Sequence, residues 1–160
     1  MIRDIRKYTK KHLAQDSTHL EKFKNKDFEI TSNVDKVITA LIDGEEVEFT
    51  NSIQFNKANI QSKITYKFVL DNGATLKALP KVIINKGASN INTHLSIKCL
   101  ILDSKSRASV TPSLEIFEDN VKAGHGASIG ALDKNQIYTL IKAGIKREVA
   151  VKILVKAFLT

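Results

Sequence analysis

Through the middle of the chain, between residues 30 and 120, apolar and polar residues alternate with the period of two that is typical of β-strands. The alternating runs are Val37/Thr39/Leu41, Val47/Phe49, Ile53/Phe55, Ile64/Tyr66/Phe68/Leu70, Leu95/Ile97 and Leu114/Ile116. Turn-forming pairs at Asp43-Gly44, Asn72-Gly73 and Lys86-Gly87 separate the runs. The pattern predicts successive strands of about five residues each.

Two architectures fit such a series of strands: an antiparallel sandwich, or a β-solenoid whose turns stack in parallel. The Asp43-Gly44 and Asn72-Gly73 pairs favour hairpins, and therefore the sandwich. Small polar residues between the apolar clusters favour the repeated corners of a solenoid. These residues are Asn51, Asn56, Asn59, Asn85, Asn90 and Asn92. The alternation leaves both architectures open.

The two ends of the chain have helical periodicity instead. In residues 1–26, one helical face carries Ile2, Ile5, Thr9, His12 and Leu13, and the spacing of Thr18 and Glu21 matches a capping box. His12 and His19 are expected on the surface of this helix. We therefore predict an N-terminal helical segment over residues 1–26, a β-core over 27–130 and a helical hairpin over 131–160.

Capping residues define the predicted C-terminal hairpin. Asp133 is placed to cap a first helix, with Gln136 three residues later, and Gly144 is placed to end that helix in a left-handed conformation. A second helix is predicted over residues 146–159. Its expected apolar face consists of Val149, Ile153, Leu154, Ala157 and Phe158.

The composition is that of a globular protein, with 160 residues, 42% hydrophobic and 26% charged. No segment approaches the roughly 18 consecutive apolar residues of a membrane span, and residues 1–7 lack the apolar core of an export signal. Cys99 is the single cysteine, so an internal disulfide is excluded and a reducing compartment is favoured. These features predict a cytoplasmic protein without membrane contact.

The net charge of +8 raises nucleic acid as a partner. Residues 1–26 contain eight Lys or Arg residues, whereas the remaining basic residues are scattered and no aromatic residues alternate with them. Base stacking requires such aromatic side chains. The distribution therefore favours a solvated basic helix, and a nucleic-acid-binding β-domain remains an alternative.

The most distinctive segment places a histidine between glycines, at Gly124-His125-Gly126, followed by Gly130. Flanking glycines remove neighbouring side chains and permit unusual backbone angles, which predicts an imidazole presented to a ligand or partner. The spacing misses the dinucleotide fingerprint and lacks a Walker lysine, so no nucleotide is expected. His125 could act as a general base, a metal ligand or a hydrogen-bonded residue of a glycine-rich turn.

Cys99 has a similar choice of roles. Its side chain is expected either to pack in the core as a small hydrophobic group, or to act as a thiolate that carries sulfur or binds iron. His94 and Cys99 lie five residues apart, so on an unbroken strand they would face opposite sides. Neither a Ser-His-Asp arrangement, an HExxH motif nor a carboxylate pair stands out, and we expect a protein that is not an enzyme.

From about residue 97 to 158 the chain resembles a known family. The matching residues are Leu102-Asp103, Arg107-Ala108, Pro112 to Ile116, Asp119 to Lys122, Gly124 to Gly130, Leu132-Asp133, Ile137-Tyr138, Leu140, Ala143 to Ile145 and Ala157-Phe158. This series is similar to the C-terminal core of the SufB/SufD scaffolds of SUF iron–sulfur cluster assembly. It is closer to SufD, because a glycine follows the histidine. Ala123 stands where many SufD sequences have cysteine.

The resemblance implies a short right-handed parallel β-helix with an N-terminal helix and a C-terminal helical hairpin. It implies a SufC-like ABC-type ATPase bound to the hairpin, and a SufB/SufD-type subunit or a second copy of the chain paired through the β-helix. Metal contacts are expected from His125 and Cys99, with a transient iron–sulfur cluster. The residues expected to contact the ATPase are Ile137, Tyr138, Leu140, Ile141, Ile153 and Phe158. The alternative within the same resemblance is a structural adaptor without iron chemistry.

Overall fold

In the computed structural model, which describes residues 25–160, nine β-strands wind into a solenoid and two α-helices follow. The strands are β1 (Lys26–Glu29), β2 (Val34–Asp43), β3 (Glu46–Phe55), β4 (Gln61–Asp71), β5 (Thr75–Ile84), β6 (Ile91–Ile101), β7 (Arg107–Val110), β8 (Ser113–Ile116) and β9 (Val121–Ala131). The helices are α1 (Lys134–Lys142) and α2 (Arg147–Leu159). The predicted N-terminal helix lies outside the described residues except at its end, where Lys26 already begins β1.

The strands alternate between two sheets. Sheet A contains β1, β3 and β5, followed by β7 and β8, which both pair with β5; sheet B has the order β2-β4-β6-β9. Every pairing in both sheets is parallel. Lys26 is aligned with Asn51 and Thr75 with Arg107, and the other pairings fall between these two spacings, so one turn of the solenoid takes 25 to 32 residues. The solenoid alternative is therefore correct, and its right-handed winding stays a prediction.

The glycine pairs that favoured hairpins are corners of the solenoid. Gly44 lies between β2 and β3, and Gly73 between β4 and β5, with φ angles of +69° and +79°. Such angles suit glycine because a side chain would be strained there. The hairpin interpretation was wrong because each of these turns passes the chain to the opposite sheet, so the strand that follows pairs with one a full turn earlier.

The strands are also longer than predicted. β2 to β6 and β9 have 10 or 11 residues, and β3 joins two runs that the pattern separated. In β2 the predicted run had the wrong phase, since Ile38, Ala40 and Ile42 line the interior while Val37 is 47% exposed. The alternation fails there because Leu41, on the outer face, packs against the C-terminal helices, so both faces of the strand carry apolar residues.

Aromatic side chains fill the centre of the solenoid. The ring of Phe49 contacts those of Tyr66 and Phe68 edge-on, with centroids 5.0 and 5.5 Å apart, and all three rings are buried. Asn51, which the sequence placed at a corner, instead faces this interior and donates a hydrogen bond to the Tyr66 hydroxyl. A parallel stack of inward-facing rows thus supplies one continuous core.

Asparagines do form the corners at other positions. Asn59 and Asn90 adopt left-handed angles, and the Asn90 side chain donates to Oδ1 of Asn59 at 2.8 Å. On another corner, Asn85 donates to Oδ1 of Asn56 at 2.5 Å. Asparagine suits these positions because it tolerates the left-handed region and its amide bonds to the equivalent residue of the next turn.

Helix α1 begins and ends where its predicted capping residues lie, whereas α2 begins after Lys146 without a side-chain cap. The Asp133 carboxylate accepts a hydrogen bond from the Asn135 N–H at 2.8 Å, and Gly144 has a φ of +84° after α1. Both helices pack on the outer face of sheet B. The buried residues of this second core are Val69, Leu100, Ile137, Val151 and Val155.

The predicted apolar face of α2 was partly wrong. Ala150, Val151 and Val155 are its buried residues, whereas Val149 and Ile153 are exposed. α2 has apolar residues on more than one side, so periodicity did not identify the side that meets the sheet. No helix among residues 25–160 is long and apolar enough to cross a membrane.

Candidate functional site

The glycine-rich segment around His125 is not a turn but the last strand of sheet B. β9 pairs with β6 along its full length, from Ile91 opposite Val121 to Ile101 opposite Ala131. Gly124 and Gly126 have ordinary extended angles, and a methyl group added at Gly126 would meet nothing within 4 Å. The expectation that these glycines permit unusual angles was therefore wrong. They leave the outer face of β9 without side chains on either side of His125.

The register determines where His125 points. His125 is aligned with Leu95 of β6, and Leu95 faces the solenoid core. Neighbouring residues of a parallel sheet in register project to the same side, so the imidazole occupies an inward-facing position. It is nevertheless exposed. The solenoid has no further turn among the described residues to cover it, because β9 pairs only with β6.

His125 therefore belongs to what we call the open end of the solenoid, defined by Ile116, Phe117, His125 and Ile129. Ile116, Phe117 and Ile129 are 44%, 60% and 47% exposed. Within residues 25–160, β8 and β9 each pair with one strand only, so their other edges present unpaired N–H and C=O groups. An apolar surface bordered by two free strand edges is suited to pairing with another protein chain.

A neutral imidazole at such a surface can bind iron, zinc or copper. No group of three or more His, Cys, Asp or Glu side chains lies together as a metal site in the part of the chain that the structure describes. His125 is one exposed donor at the open end, reachable from a second chain that lies against it.

Cys99 lies inside the solenoid. It is 3% exposed, and burial raises the pKa of its thiol to about 12, so the thiol is protonated at neutral pH. His94 projects outward from the same strand, as their spacing predicts. Cys99 is aligned with Ile129, four residues beyond His125, which separates the two backbone positions by about 14 Å. One chain does not bring the two predicted metal residues together.

The six residues expected to contact an ATPase have different environments. Tyr138, Ile141 and Ile153 are exposed, and Tyr138 is 60% exposed. Ile137 is buried against sheet B, while Leu140 and Phe158 are half-buried. The three exposed residues are available to a partner.

Sequence reasoning did not include Val149 among the contact residues, although it is exposed one turn before Ile153 on the same side of α2. Its spacing of four residues from Ile153 was the available signal. We call Tyr138, Ile141, Val149 and Ile153 together the hairpin face. Phe158 lies apart from it, with its ring centre 5.9 Å from the Lys67 ammonium on sheet B.

Comparison with known proteins agrees with this architecture. Residues 22–158 match the family model described as SUF system FeS cluster assembly, SufBD core domain. The chain is similar to the iron–sulfur cluster assembly protein SufD of Bacillus subtilis, with 34% identity over 119 residues, which are 72% of this chain and 27% of that protein.

Two further relatives show the same similarity at lower identity. SufD of Escherichia coli is 28% identical over 108 residues, covering 66% of this chain and 25% of that protein. SufB of Bacillus subtilis is 27% identical over 101 residues, covering 63% of this chain and 22% of that protein. The chain therefore spans about a quarter of the length of these curated relatives.

Proposed function

Since the chain belongs to the SufBD family of the SUF iron–sulfur cluster assembly system, we propose that it is a non-enzymatic scaffold subunit of a SUF-type complex. In this proposal His125 holds a nascent cluster at a subunit interface, and the helical hairpin binds a SufC-like ATPase. The cluster is the cargo of the scaffold, which assembles it and passes it on.

One observation carries the cluster-ligand proposal: an imidazole stands at an inward position of the last strand, with no strand above it among the described residues. Iron–sulfur clusters accept imidazole in place of thiolate. A ligand at a subunit boundary leaves the remaining positions to the other chain, and incomplete ligation by either chain suits a cluster that must be released.

The open end supports the second part of the proposal, a paired subunit. Ile116, Phe117 and Ile129 are exposed apolar residues of the same open end as the histidine, and the free edges of β8 and β9 can extend both sheets. The partner is a SufB/SufD-type subunit or a second copy of this chain. Burying this surface would place His125 in a desolvated interface, where the electrostatic attraction between the imidazole and a bound iron ion is stronger than in water.

Anaerobic reconstitution with iron and sulfide tests the ligand role. The wild-type complex should bind both and develop the charge-transfer absorbance of a cluster, and His125→Ala should retain much less of each. His94→Ala is the matched control, because His94 is an exposed histidine on the adjacent strand that faces the outer side. Equal uptake by wild type and His125→Ala would favour the structural adaptor without iron chemistry.

The role of Cys99 in sulfur or iron handling stays a prediction, tested by Cys99→Ala in the same reconstitution. Burial and a protonated thiol argue for a packing role. Loss of sulfide uptake by a variant that remains folded would support the sulfur-handling role, and unchanged uptake would contradict it.

The hairpin face carries the ATPase proposal. Its exposed apolar residues lie on two helices that are anchored to sheet B through Ile137, Val151 and Val155, so a partner meets a preformed surface. Tyr138→Asp or Ile153→Asp should weaken binding of the cognate SufC-type ATPase by about 30-fold or more, as expected for a central apolar contact.

Val37→Asp is the control for this experiment, since Val37 has a similar exposure but lies on β2, away from the hairpin. Circular dichroism should show that all three variants are folded. Undiminished ATPase binding by both hairpin variants would contradict the docking assignment.

A further inference from the structure

The helical hairpin that carries the apolar hairpin face also carries a net positive charge, which indicates the charge expected of a partner's surface. Residues 131–160 contain six Lys or Arg residues against two acidic residues, Asp133 and Glu148. Asp133 is already engaged as the cap of α1. The hairpin therefore presents an excess of positive charge around an apolar centre.

The basic side chains lie beside the apolar residues and not at a distance from them. The Lys142 ammonium is 4.8 Å from the centre of the Tyr138 ring, which is a cation–π contact. Lys156 lines a shallow depression on α2 together with Val149 and Ile153. Both helices thus combine exposed apolar surface with an adjacent ammonium group.

Three of these basic residues have no carboxylate partner among the described residues. Lys142, Lys146 and Lys156 form no ion pair with a carboxylate among residues 25–160, whereas Lys77 and Lys81 on sheet A are paired with Glu48 and Glu115. Lys142, Lys146 and Lys156 are therefore available to an external anion.

We propose that the hairpin face binds a protein groove with an apolar floor and an acidic rim, formed by Asp and Glu side chains of the partner. This inference rests on the proposed function and specifies the chemistry of the ATPase surface that the hairpin meets. The apolar residues supply most of the affinity, and the lysines steer the encounter and set the orientation.

A protein groove fits the face better than an anionic bilayer does. Interfacial helices bury bulky Trp, Phe or Leu residues from one continuous side. Here Tyr138 is the single large aromatic of the face, and Val149 and Ile153 are short branched residues. The other side of α2 is held on sheet B by Val151 and Val155. The exposed side of the helix therefore has a fixed surface shape, which suits a rigid partner.

Binding of the cognate SufC-type ATPase to the full chain, measured by biolayer interferometry at 50 and 500 mM NaCl, tests the inference. Steering by rim charges is screened by salt, so affinity should fall by about tenfold or more across this range, chiefly through the association rate. Lys142→Glu and Lys156→Glu should each weaken binding by about fivefold at 50 mM and by much less at 500 mM.

Matched variants separate steering from structural damage. Lys142→Arg should bind as the wild type does, because it keeps the charge. Lys57→Glu makes the same change of charge at the corner between β3 and β4, away from the hairpin, and should have little effect.

Three results would overturn the inference. ATPase binding that is tight, insensitive to salt and unchanged by both charge reversals would refute the acidic rim while leaving the docking proposal in place. Absence of ATPase binding by the wild type at either salt concentration would remove the docking proposal and this inference with it. Binding of the wild type to phosphatidylglycerol vesicles, lost in Lys142→Glu, would assign the face to a membrane surface instead.

Discussion

At the residue scale, His125 and Cys99 both occupy inward-facing positions on neighbouring strands of sheet B but differ in exposure. Cys99 lies beneath β9 and is sealed in the core, whereas His125 lies on β9 itself and is exposed. The same side-chain direction thus produces a packing residue in the third strand of the sheet and a potential ligand in the fourth.

The buried thiol predicts a pH-dependent stability. Burial raises the pKa of Cys99 to about 12 from a reference value of 9.0. Above pH 9 the unfolded chain loses the thiol proton while the native chain keeps it, so this contribution is full below pH 9 and is lost as pH rises towards 12. The free energy of unfolding of wild type should therefore fall more steeply than that of Cys99→Ala in this range, by up to about 1.4 kcal/mol per pH unit.

Urea denaturation at intervals between pH 8 and 11 measures the difference in slope between wild type and Cys99→Ala. All other titrating groups are common to both proteins, so their contributions cancel in this difference. Cys99→Val, which also lacks the thiol but keeps more volume, should follow the slope of Cys99→Ala. Parallel slopes for wild type and both variants would show that the thiol titrates alike in the folded and unfolded chains.

The Asp103 carboxylate predicts that the free energy of unfolding also depends on pH, but with the opposite sign. Burial opposes its ionisation, but hydrogen bonds from the Ser106 hydroxyl and from the N–H groups of Lys105, Gly73 and Ser106 outweigh burial and lower the pKa to about 2. A lowered pKa stabilises the native state above the reference value of 3.8, and the effect is lost as pH falls to 2.

Asp103→Asn should therefore lower the free energy of unfolding by about 1 kcal/mol at pH 7, through weaker hydrogen bonds, and the deficit should vanish near pH 2. Chemical denaturation at pH 7, 4 and 2 measures it. Asp35→Asn, at an exposed position of β2, is the control and should be nearly neutral. A deficit of equal size at all three pH values would indicate a steric effect and not a loss of ionised hydrogen bonds.

At the scale of elements, β9 shows how a glycine-rich segment can be a strand. Its residues pair with β6 at every position, so backbone hydrogen bonds and register hold a segment whose side chains contribute little. The α1–α2 hairpin is the contrasting case, because its capping residues determine its ends while packing on sheet B determines which sides are exposed.

Gly126 therefore should not be required for folding. Its angles are extended and its outer side is open, so Gly126→Ala should raise the free energy of unfolding by about 0.5 kcal/mol through reduced freedom of the unfolded chain. Gly73→Ala, at a φ of +79°, should lower it by about 1 kcal/mol. Thermal and urea denaturation compare the two; a large loss in Gly126→Ala would mean that the outer face of β9 is covered in the folded protein.

At the scale of the whole molecule, a solenoid exposes its core at the end of its last turn. The interior rows of sheets A and B run without interruption to Ile116 and Ile129, where the stacking stops within the described residues. In the last turn, the preceding turn pairs with each strand on one side, and the other edge is free to pair with an additional chain.

Ile129→Lys should consequently disrupt assembly and not folding. Its free energy of unfolding should stay within about 0.5 kcal/mol of the wild type, because the side chain is already half exposed. Sedimentation velocity, alone and with a SufB/SufD-type partner, should show loss of the complex. Val37→Lys, with the same exposure of 47% on the outer face of β2, should assemble normally. Equal assembly by both variants would locate the interface elsewhere.

Much of this molecule could be predicted locally. Alternation located most of the strands, Asp133 and Gly144 marked the ends of α1, and the series of motifs from Leu102 to Phe158 identified the family. Each of these signals is carried by residues close together in sequence. Predictions failed where a residue is in contact with another turn, as with Asn51 in the core and Gly124 in a strand.

The sequence by itself determined where a β-core gives way to two C-terminal helices, the cap of α1, the single cysteine and the histidine between glycines. The alternation alone left the sandwich and the solenoid open, and the family resemblance implied the solenoid. The tertiary structure shows the parallel pairing itself, which joins residues 25 to 32 positions apart and therefore leaves no signal in neighbouring residues. It also decided that His125 is exposed although it points inward, and that Ile137 is buried while Ile153 is exposed. Exposure depends on which strand or helix lies alongside, and that depends on the number of turns and the packing of the hairpin on sheet B.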